Sequence, residues 1–324
     1  MGREKIYPFA VARIRMLENS LLTEKTYTQL IESKSAMEVF KILSDAGYGG
    51  ENSIDIKNYE KALSNRLAKA YSDVKELVPK EHFPDVFLLK NDYQNLKVLV
   101  KSDISSINGE NYLVGGTTVD IKDMKEAFET KNYGCLTENM AQAITDSYEQ
   151  YAKTQSGQAI DNVMDNAAFK DMLKVAKESG IKFVENYVKT LCDITNLRSY
   201  NRIKNMKKTA SDFESVFVHG GTVSLDTFKK AFNAEGASGG FKETAYNDLA
   251  LKMDEGFTVF EKSCDDYLMA FMRDAKYKSL TVEPLLAFIY AVETEVKTVR
   301  IIVNGKLNGI DTEVIKERLR DAYV

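Results

Sequence analysis

Apolar and polar positions along this chain follow the period of an α-helix rather than that of a β-strand. In three segments an acidic residue, Asp92, Asp193 or Glu295, stands among apolar residues. At ~100° per residue, three apolar positions beside each acid fall on its side of the helix. They are Tyr93, Leu96 and Leu99; Ile194, Leu197 and Tyr200; and Val296, Val299 and Ile302. Each carboxylate is therefore predicted to lie within an apolar face, where it needs hydrogen-bonding partners.

A six-residue motif that begins with these acids recurs at nearly even spacing. Its copies read Asp92-Tyr-Gln-Asn-Leu-Lys97, Asp193-Ile-Thr-Asn-Leu-Arg198 and Glu295-Val-Lys-Thr-Val-Arg300. The basic residues that close the copies are 101 and 102 positions apart. Such spacing indicates an internal repeat, and we predict three related helical units. Their approximate bounds are 1–113, 114–217 and 218–324.

Each motif is followed by a glycine-containing turn and a short amphipathic helix. The pairs Gly115–Gly116 and Gly220–Gly221 are expected to form turns with positive φ. Side chains that can cap a helix N-terminus precede the short helices and recur near the start of the chain. These predicted N-caps are Asp120, Ser224, Asp311, Thr23 and Ser35. No hairpin turn lies between two alternating runs, so the predicted fold class is all-α.

Composition supports a helical globular protein. The 324-residue chain is 44% hydrophobic and 28% charged, as in ordinary soluble proteins. Its four prolines leave 85–283 free of the residue that interrupts helices. Long helices are predicted over 7–22, 58–78 and 87–101. The net charge of −4 argues against a general nucleic-acid binder, which usually carries a basic excess.

Cysteine spacing and hydropathy indicate where the protein works. Cys135, Cys192 and Cys264 form no Cys-x-x-Cys pair, which favours reduced thiols in a cytosolic setting. The longest apolar run, 285–292, has eight residues, whereas a membrane-spanning helix needs about 20. The first residues show neither an apolar signal core nor a myristoylation motif. We therefore expect no membrane-spanning segment in this chain.

Glycines, histidines and cysteines show no pattern typical of catalysis or metal binding. Neither glycine pair is followed by Lys-Ser or Lys-Thr, as a phosphate-binding loop requires. His82 and His219 lack the spacing to the cysteines that zinc sites use. His219-Gly220-Gly221 resembles an esterase loop, but no Gly-x-Ser-x-Gly elbow accompanies it. The sequence therefore predicts no catalytic residue, no cofactor and no metal ion.

The charged residues of the motif allow two interpretations. The acids recur with the repeat, whereas a catalytic pair normally appears once, so we interpret them as structural carboxylates. The basic residues can be solvated helix flanks that contribute little. Alternatively, three units in a ring would place them around one axis, where they could dock an elongated partner. The acids are Asp92, Asp193 and Glu295, and the basic residues are Lys97, Arg198 and Arg300.

Three stretches carry a family resemblance. One is Tyr-x-Phe-Ala-Val-Ala-Arg-Ile-Arg-x-Leu-Glu-x-x-Leu-Leu at 7–22, and another is Asn-Leu-Lys or Asn-Leu-Arg at 95–97 and 196–198. The last is Gly-Lys-Leu-Asn-Gly-Ile-Asp-x-Glu-x-Ile-Lys-Glu-Arg-Leu-Arg-x-x-Tyr-Val at 305–324. Through them the whole chain resembles the C subunits of V/A-type rotary ATPases, whose equivalent in the eukaryotic vacuolar enzyme is the d subunit. The third motif copy departs from the pattern at Thr298 and Val299.

This resemblance implies a funnel of three helical domains around a pseudo-threefold axis. It implies a non-catalytic subunit on the cytoplasmic face of the membrane, between a central axle of D- and F-type subunits and a rotor ring of proteolipid subunits. Torque would pass through the chain between the ATP-driven head and the ring that carries H⁺ or Na⁺. Lys97, Arg198 and Arg300 then become candidates for contact with the axle.

Two alternatives belong to other functional classes. A generic all-helical repeat scaffold or adaptor would show more and shorter repeats. An enzyme would need a single polar constellation outside the repeat, and the sequence contains no recognisable one.

Overall fold

Helices joined by turns form the structure, a computed structural model that describes residues 6–50 and 53–323. No β-strand occurs within these ranges, so the predicted all-α class is confirmed. The chain divides into two compact units. Unit 1 combines Met1–Lys80 with Glu255–Val324, and unit 2 is Glu81–Asp254. The threefold repeat division and the funnel-shaped arrangement stay predictions.

Unit 2 is centred on a long helix, α8. This helix packs against α5, α7 and α9, and the shorter helices follow the motif helices α5 and α9 in the chain. The helices are α5 (Asp85–Ser105), α6 (Ile121–Thr130), α7 (Glu138–Thr154), α8 (Gly157–Ser179), α9 (Lys182–Asn205), α10 (Ala210–Glu214), α11 (Leu225–Phe232) and α12 (Asn247–Leu251).

Unit 1 is centred on α14, which packs against α1, α4 and α13. The apolar run 285–292 forms the first part of α14 and is buried throughout. Within the described ranges, no helix is long and apolar enough to cross a membrane. The helices are α1 (Pro8–Glu18), α2 (Glu24–Glu32), α3 (Ala36–Asp45), α4 (Tyr59–Leu77), α13 (Phe257–Arg273), α14 (Glu283–Leu307) and α15 (Thr312–Glu317).

The apolar face predicted for the motif helices is confirmed at eight of its nine positions, which are at most 3% exposed. Leu99 is the exception and is half-buried, whereas Tyr200 and Ile302, at the corresponding positions of the other two copies, are fully buried. The three acids are also buried, as predicted: Asp92 and Asp193 are fully buried and Glu295 is 3% exposed.

The predicted helix N-caps are also present. Each capping side chain accepts a hydrogen bond from a backbone amide in the first turn of its helix, which satisfies a group that the helix leaves unpaired. At Ser35 the hydroxyl accepts from the amide of Glu38, and the carboxylate of Glu38 accepts from the amide of Lys34. The caps are Thr23, Ser35, Asp120, Ser224 and Asp311.

Candidate functional site

Asp193 on α9 is the centre of a buried hydrogen-bonded group, which we call a carboxylate node. The amide of Thr222 donates to both carboxylate oxygens at 2.9 Å, and its hydroxyl donates to Oδ2 at 2.6 Å. The amide of Val223 donates to Oδ1 at 3.0 Å, and the hydroxyl of Tyr246 donates to Oδ2 at 2.9 Å. Four donors therefore offset the cost of burying this charge.

Asn196, one turn further along α9, holds the start of the same loop. Its amide nitrogen donates to the carbonyl of Val218, and its oxygen accepts from the amide of Val218, both at 2.8 Å. The loop approaches the helix so closely that a Cβ atom at Gly221 would lie 2.1 Å from Asp193 Oδ1. Gly220 has a φ of +109°. The glycine pair thus serves the turn and the close approach.

Asp92 on α5 forms a second node of the same design. The amide of Thr118 donates to both carboxylate oxygens at 3.0 Å, its hydroxyl donates at 2.8 Å, and the amide of Val119 donates at 3.2 Å. Asn95 exchanges two 2.8 Å hydrogen bonds with the backbone of Val114. Burial raises the pKa of Asp92 to about 6, although the bonds from Thr118 and Val119 oppose this shift.

The Asp92 loop also carries a positive-φ glycine, as the sequence predicted. Gly116 has a φ of +72°. The side-chain amide of Asn91 donates to the carbonyls of Gly115 and Gly116 at 3.1 and 2.9 Å. The motif helix therefore holds this loop through three polar side chains, those of Asn91, Asp92 and Asn95.

Glu295 on α14 forms the third node with different partners. The amide of Leu22 donates to Oε2 and the hydroxyl of Tyr48 donates to Oε1, each at 2.5 Å. The guanidinium of Arg66 donates to Oε1 at 3.2 Å and to the carbonyl of Ser20 at 2.9 Å. Burial raises the pKa of Tyr48 well above its usual value, and the adjacent carboxylate of Glu295 raises it further. The turn before α2 is thus the segment bound at this node, as the glycine loops are at the other two nodes.

Sequence reasoning identified the three acids but missed the partners of Glu295. Tyr48 carried no signal of this contact, and Arg66 was predicted only as part of the long helix 58–78. The one signal was the departure of the third copy from Asn-Leu-Arg, at Thr298 and Val299. A copy without the asparagine has no side chain for the loop contact that Asn95 and Asn196 make.

Two basic residues of the motif bind a neighbouring long helix. Lys97 on α5 forms an ion pair with Asp165 on α8, with 2.5 Å between Nζ and Oδ1. Arg300 on α14 donates to Glu60 on α4 through Nε and Nη2, at 2.9 to 3.1 Å. Arg198 on α9 is half-buried. The motif therefore uses its basic end for helix-to-helix pairing in both units.

A groove of about 840 Å³ runs along α7 and α8 in unit 2. Amide side chains line much of it, among them Asn139, Gln142, Asn162 and Asn166. His219, which also lines it, packs edge-on against Phe217 with 5.0 Å between ring centres. In the part of the chain that the structure describes, no group of three or more His, Cys, Asp or Glu residues could hold a metal ion.

The similarity to known proteins extends over nearly the whole chain. The family model described as "ATP synthase (C/AC39) subunit" matches residues 10–318. The chain belongs to this family. It is 26% identical over 320 residues to the C subunit of the V-type sodium ATPase of Enterococcus hirae, with 96% of this chain and 97% of that protein covered.

Archaeal relatives are similar to the chain to the same degree. The C subunit of the A-type ATP synthase of Thermococcus onnurineus is 25% identical over 336 residues, which cover 98% of this chain and 90% of that protein. The C subunit of the A-type ATP synthase of Methanothermobacter thermautotrophicus is 27% identical over 341 residues, with 97% and 88% covered. Matches of this extent relate the C/AC39 chain to these proteins over nearly its full length.

Proposed function

We propose that this chain is a central-stalk subunit of a V/A-type ATPase that couples a central axle to a membrane rotor ring for ATP-linked transport of H⁺ or Na⁺. The observation that carries the proposal is the family match over residues 10–318. In this proposal the chain is non-catalytic and sits peripherally on the cytoplasmic face of the membrane. Its partners are axle subunits of the D and F type and the ring of proteolipid subunits.

The carboxylate nodes support a mechanical role. A protein that couples axle and ring has to transmit torque without yielding, so the loops between its helices must be held firmly. At each node a buried carboxylate accepts at least three hydrogen bonds and fixes a connecting segment to a motif helix. Charge-assisted bonds of this kind are roughly twice as strong as neutral ones.

The basic residues of the motif provide the proposed axle contacts. The ion pairs of Lys97 and Arg300 leave their acidic partners about half exposed, with side-chain exposures of 53% for Asp165 and 48% for Glu60. Each pair therefore offers both a basic and an acidic side chain to a partner protein. Charges across an interface set register and encounter rate more than raw affinity, so we propose that these pairs orient the foot of the axle.

Affinity capture from detergent-solubilised membranes tests the coupling role. The full-length chain carrying an affinity tag is the bait, and the expected result is co-purification of D- and F-type axle subunits together with the proteolipid. If the bait recovers other proteins but neither axle nor ring subunits, the proposal is contradicted, and a scaffold role is supported instead.

A charge-removal variant tests the axle contacts separately. Lys97→Gln, Arg198→Gln and Arg300→Gln are combined, because glutamate at these positions would repel Asp165 and Glu60. We expect weaker axle binding with a smaller dependence on salt. The matched control replaces three exposed lysines with glutamine: Lys25, Lys122 and Lys242. Equal affinity and equal salt dependence in the two variants would remove the basic residues from the interface.

A further inference from the structure

Helix α1 has two apolar faces, and unit 1 covers one of them. Ala10, Val11 and Ile14 are buried against the rest of the unit. On the opposite side, Phe9 is 77% exposed and Met16 is 63% exposed. Because positions 9 and 16 are seven residues apart, they lie on one stripe of the helix. The outer face of α1 is therefore an uncovered apolar surface.

The turn 275–280 lies against α1 and also carries exposed apolar side chains. The guanidinium of Arg15 donates to the carbonyls of residues 275, 276 and 278 at 3.1, 2.7 and 3.0 Å, and the amide of Tyr7 donates to the carbonyl of Leu280 at 2.7 Å. The turn is thereby fixed along α1. Tyr277 is 85% exposed and Leu280 is 48% exposed. We call the exposed side chains of Phe9, Met16, Tyr277 and Leu280 the α1 face.

Positive charge surrounds the α1 face although the whole chain is acidic, with a net charge of −4. Arg13 on the outer side of α1 and Lys278 in the turn are exposed, and Lys276 is half-exposed. The nearby acidic residues are Asp274, just before the turn, and Glu18, which pairs with Arg15. The local excess of positive charge suits a negatively charged partner.

Among the described residues, Glu18 is the anion that acts on Lys276, but it forms no ion pair with it. Within 6–50 and 53–323, its ammonium group makes no hydrogen bond and no ion pair, and it lies 4.9 Å from the centre of the Tyr323 ring. Burial lowers the pKa of Lys276, and the neighbouring Arg273 and Arg15 lower it further against the opposing effect of Glu18. A cation held close to two others is stabilised when an anion comes near.

We propose that the α1 face binds the surface of an anionic phospholipid bilayer, with its apolar side chains between the headgroups and Arg13, Lys276 and Lys278 against the phosphates. Exposed aromatic and apolar side chains with basic residues beside them favour binding at the membrane interface. Each nearby Lys or Arg strengthens binding to anionic lipid by about fivefold. A second copy of the chain fits less well, because two cationic faces repel each other. The proposal stands without the coupling role, since the isolated chain suffices for it.

Co-sedimentation of the purified full-length chain with vesicles tests this proposal. One set of vesicles contains phosphatidylcholine alone, and the other contains phosphatidylcholine mixed with phosphatidylglycerol. We expect binding to the anionic vesicles at least roughly tenfold tighter than to the neutral ones, with a decrease at high salt. Equal binding to both sets, or binding to neither, overturns the proposal.

Two variants locate the binding surface. The apolar variant combines Phe9→Ser, Met16→Gln and Tyr277→Ser, and we expect it to lose binding to both kinds of vesicle. The charge variant combines Arg13→Gln, Lys276→Gln and Lys278→Gln, and we expect it to lose the preference for anionic lipid. All six changes are at exposed or half-exposed positions, and an unchanged thermal unfolding curve confirms that the fold is retained.

Matched controls carry the same kinds of substitution in unit 2. The apolar control combines Ile107→Ser, Tyr112→Ser and Met206→Gln at positions that are 57–70% exposed, and the charge control combines Lys122→Gln, Lys208→Gln and Lys242→Gln. Equal losses in a variant and its control place the lipid contact elsewhere. Loss of a dimer in size-exclusion chromatography, with vesicle binding retained, shows that the α1 face joins two copies of the chain and also overturns the proposal.

Discussion

In unit 2, Asp92 and Asp193 each bind a loop that lies 26 to 30 residues further along the chain. In unit 1, Glu295 binds the amide of Leu22, which lies 273 residues before it. The two aspartates accept from two consecutive backbone amides and a threonine hydroxyl. The glutamate accepts from one backbone amide, a tyrosine hydroxyl and the guanidinium of Arg66.

This contrast shows that the repeat fixes the position of the acid but not the identity of its partners. A loop with two aligned amides can surround the short side chain of an aspartate. At Glu295, where a single amide of the turn before α2 donates, the side chain is longer by one methylene, and a partly buried cation and a tyrosine hydroxyl supply the remaining stabilisation. Both arrangements fix a connecting segment to a motif helix, but they should respond differently when they are altered.

The largest effect is expected for Glu295→Ala. The substitution leaves Arg66, whose side chain is 16% exposed, without its carboxylate, and breaking a buried ion pair in this way costs about 3–5 kcal/mol. Urea unfolding monitored by circular dichroism measures the loss, with the exposed Glu317→Ala as the control. A loss at Glu295 no larger than at Glu317 would show that the node contributes nothing to stability.

Asp193→Ala should have the next largest effect and lower the free energy of unfolding by about 3 kcal/mol. It leaves buried hydroxyl and amide donors unpaired, but it leaves no buried cation without a partner. Its effect should also be local. Hydrogen–deuterium exchange should increase in the loop 218–223 after this change, and in the turn 19–23 after Glu295→Ala. Increased exchange of both segments in either variant would contradict the view that each node fixes its own connection.

A smaller effect is expected for the pH dependence of stability that Asp92 causes. Burial raises its folded-state pKa to about 6, above the unfolded value of about 3.9. The folded state therefore favours the protonated form, and this contribution to stability is present below about pH 4 and is lost as the pH rises through 6. Between about pH 4.5 and 6.5 the advantage of the wild type over Asp92→Ala should shrink by about 2 kcal/mol. A constant difference across this range would contradict the shifted pKa.

The smallest effect on stability is expected for the ion pairs at the basic end of the motif, and the two units should show similar coupling energies there. Double-mutant cycles for Lys97 with Asp165 and for Arg300 with Glu60 should each give about 0.2–1 kcal/mol, since both pairs are partly exposed. Thermal unfolding at low and high salt provides the measurement. A coupling energy several-fold larger in one unit would show that the two units differ in their ion pairs as well as in their carboxylate nodes.

Much of the fold followed from local rules that act over a few residues. The helical period placed Leu96 and Leu197 in the core, and single side chains such as Thr23 and Ser224 marked helix starts. These signals are readable because a helix face and a cap depend on residues three or four positions apart. The acids of the nodes were found in the same way, as polar residues on an apolar face.

The partners of those acids could not be predicted with equal success. The glycine loops of unit 2 follow their motifs in the chain, and the close approach at Gly221 has a visible signal. Nothing near Glu295 in the sequence points to Leu22, Tyr48 or Arg66, because these contacts depend on how α1, α3 and α4 pack against α14. The charges of Lys97 and Arg300 were interpreted as flanks or docking sites, and their pairing across helices was likewise hidden.

The long separation between Glu295 and Leu22 has a consequence for protein synthesis. At about 5–20 residues per second, a ribosome takes roughly 14–55 s to add the residues between them. During that interval the inward-facing side chains of α1 and α4 have no α14 to pack against. All of Glu81–Asp254 is synthesised before α14 begins at Glu283. The segment around Leu22 therefore waits for α14 before its buried contact with Glu295 can form, and exposed apolar surface of this kind makes a nascent chain prone to aggregate.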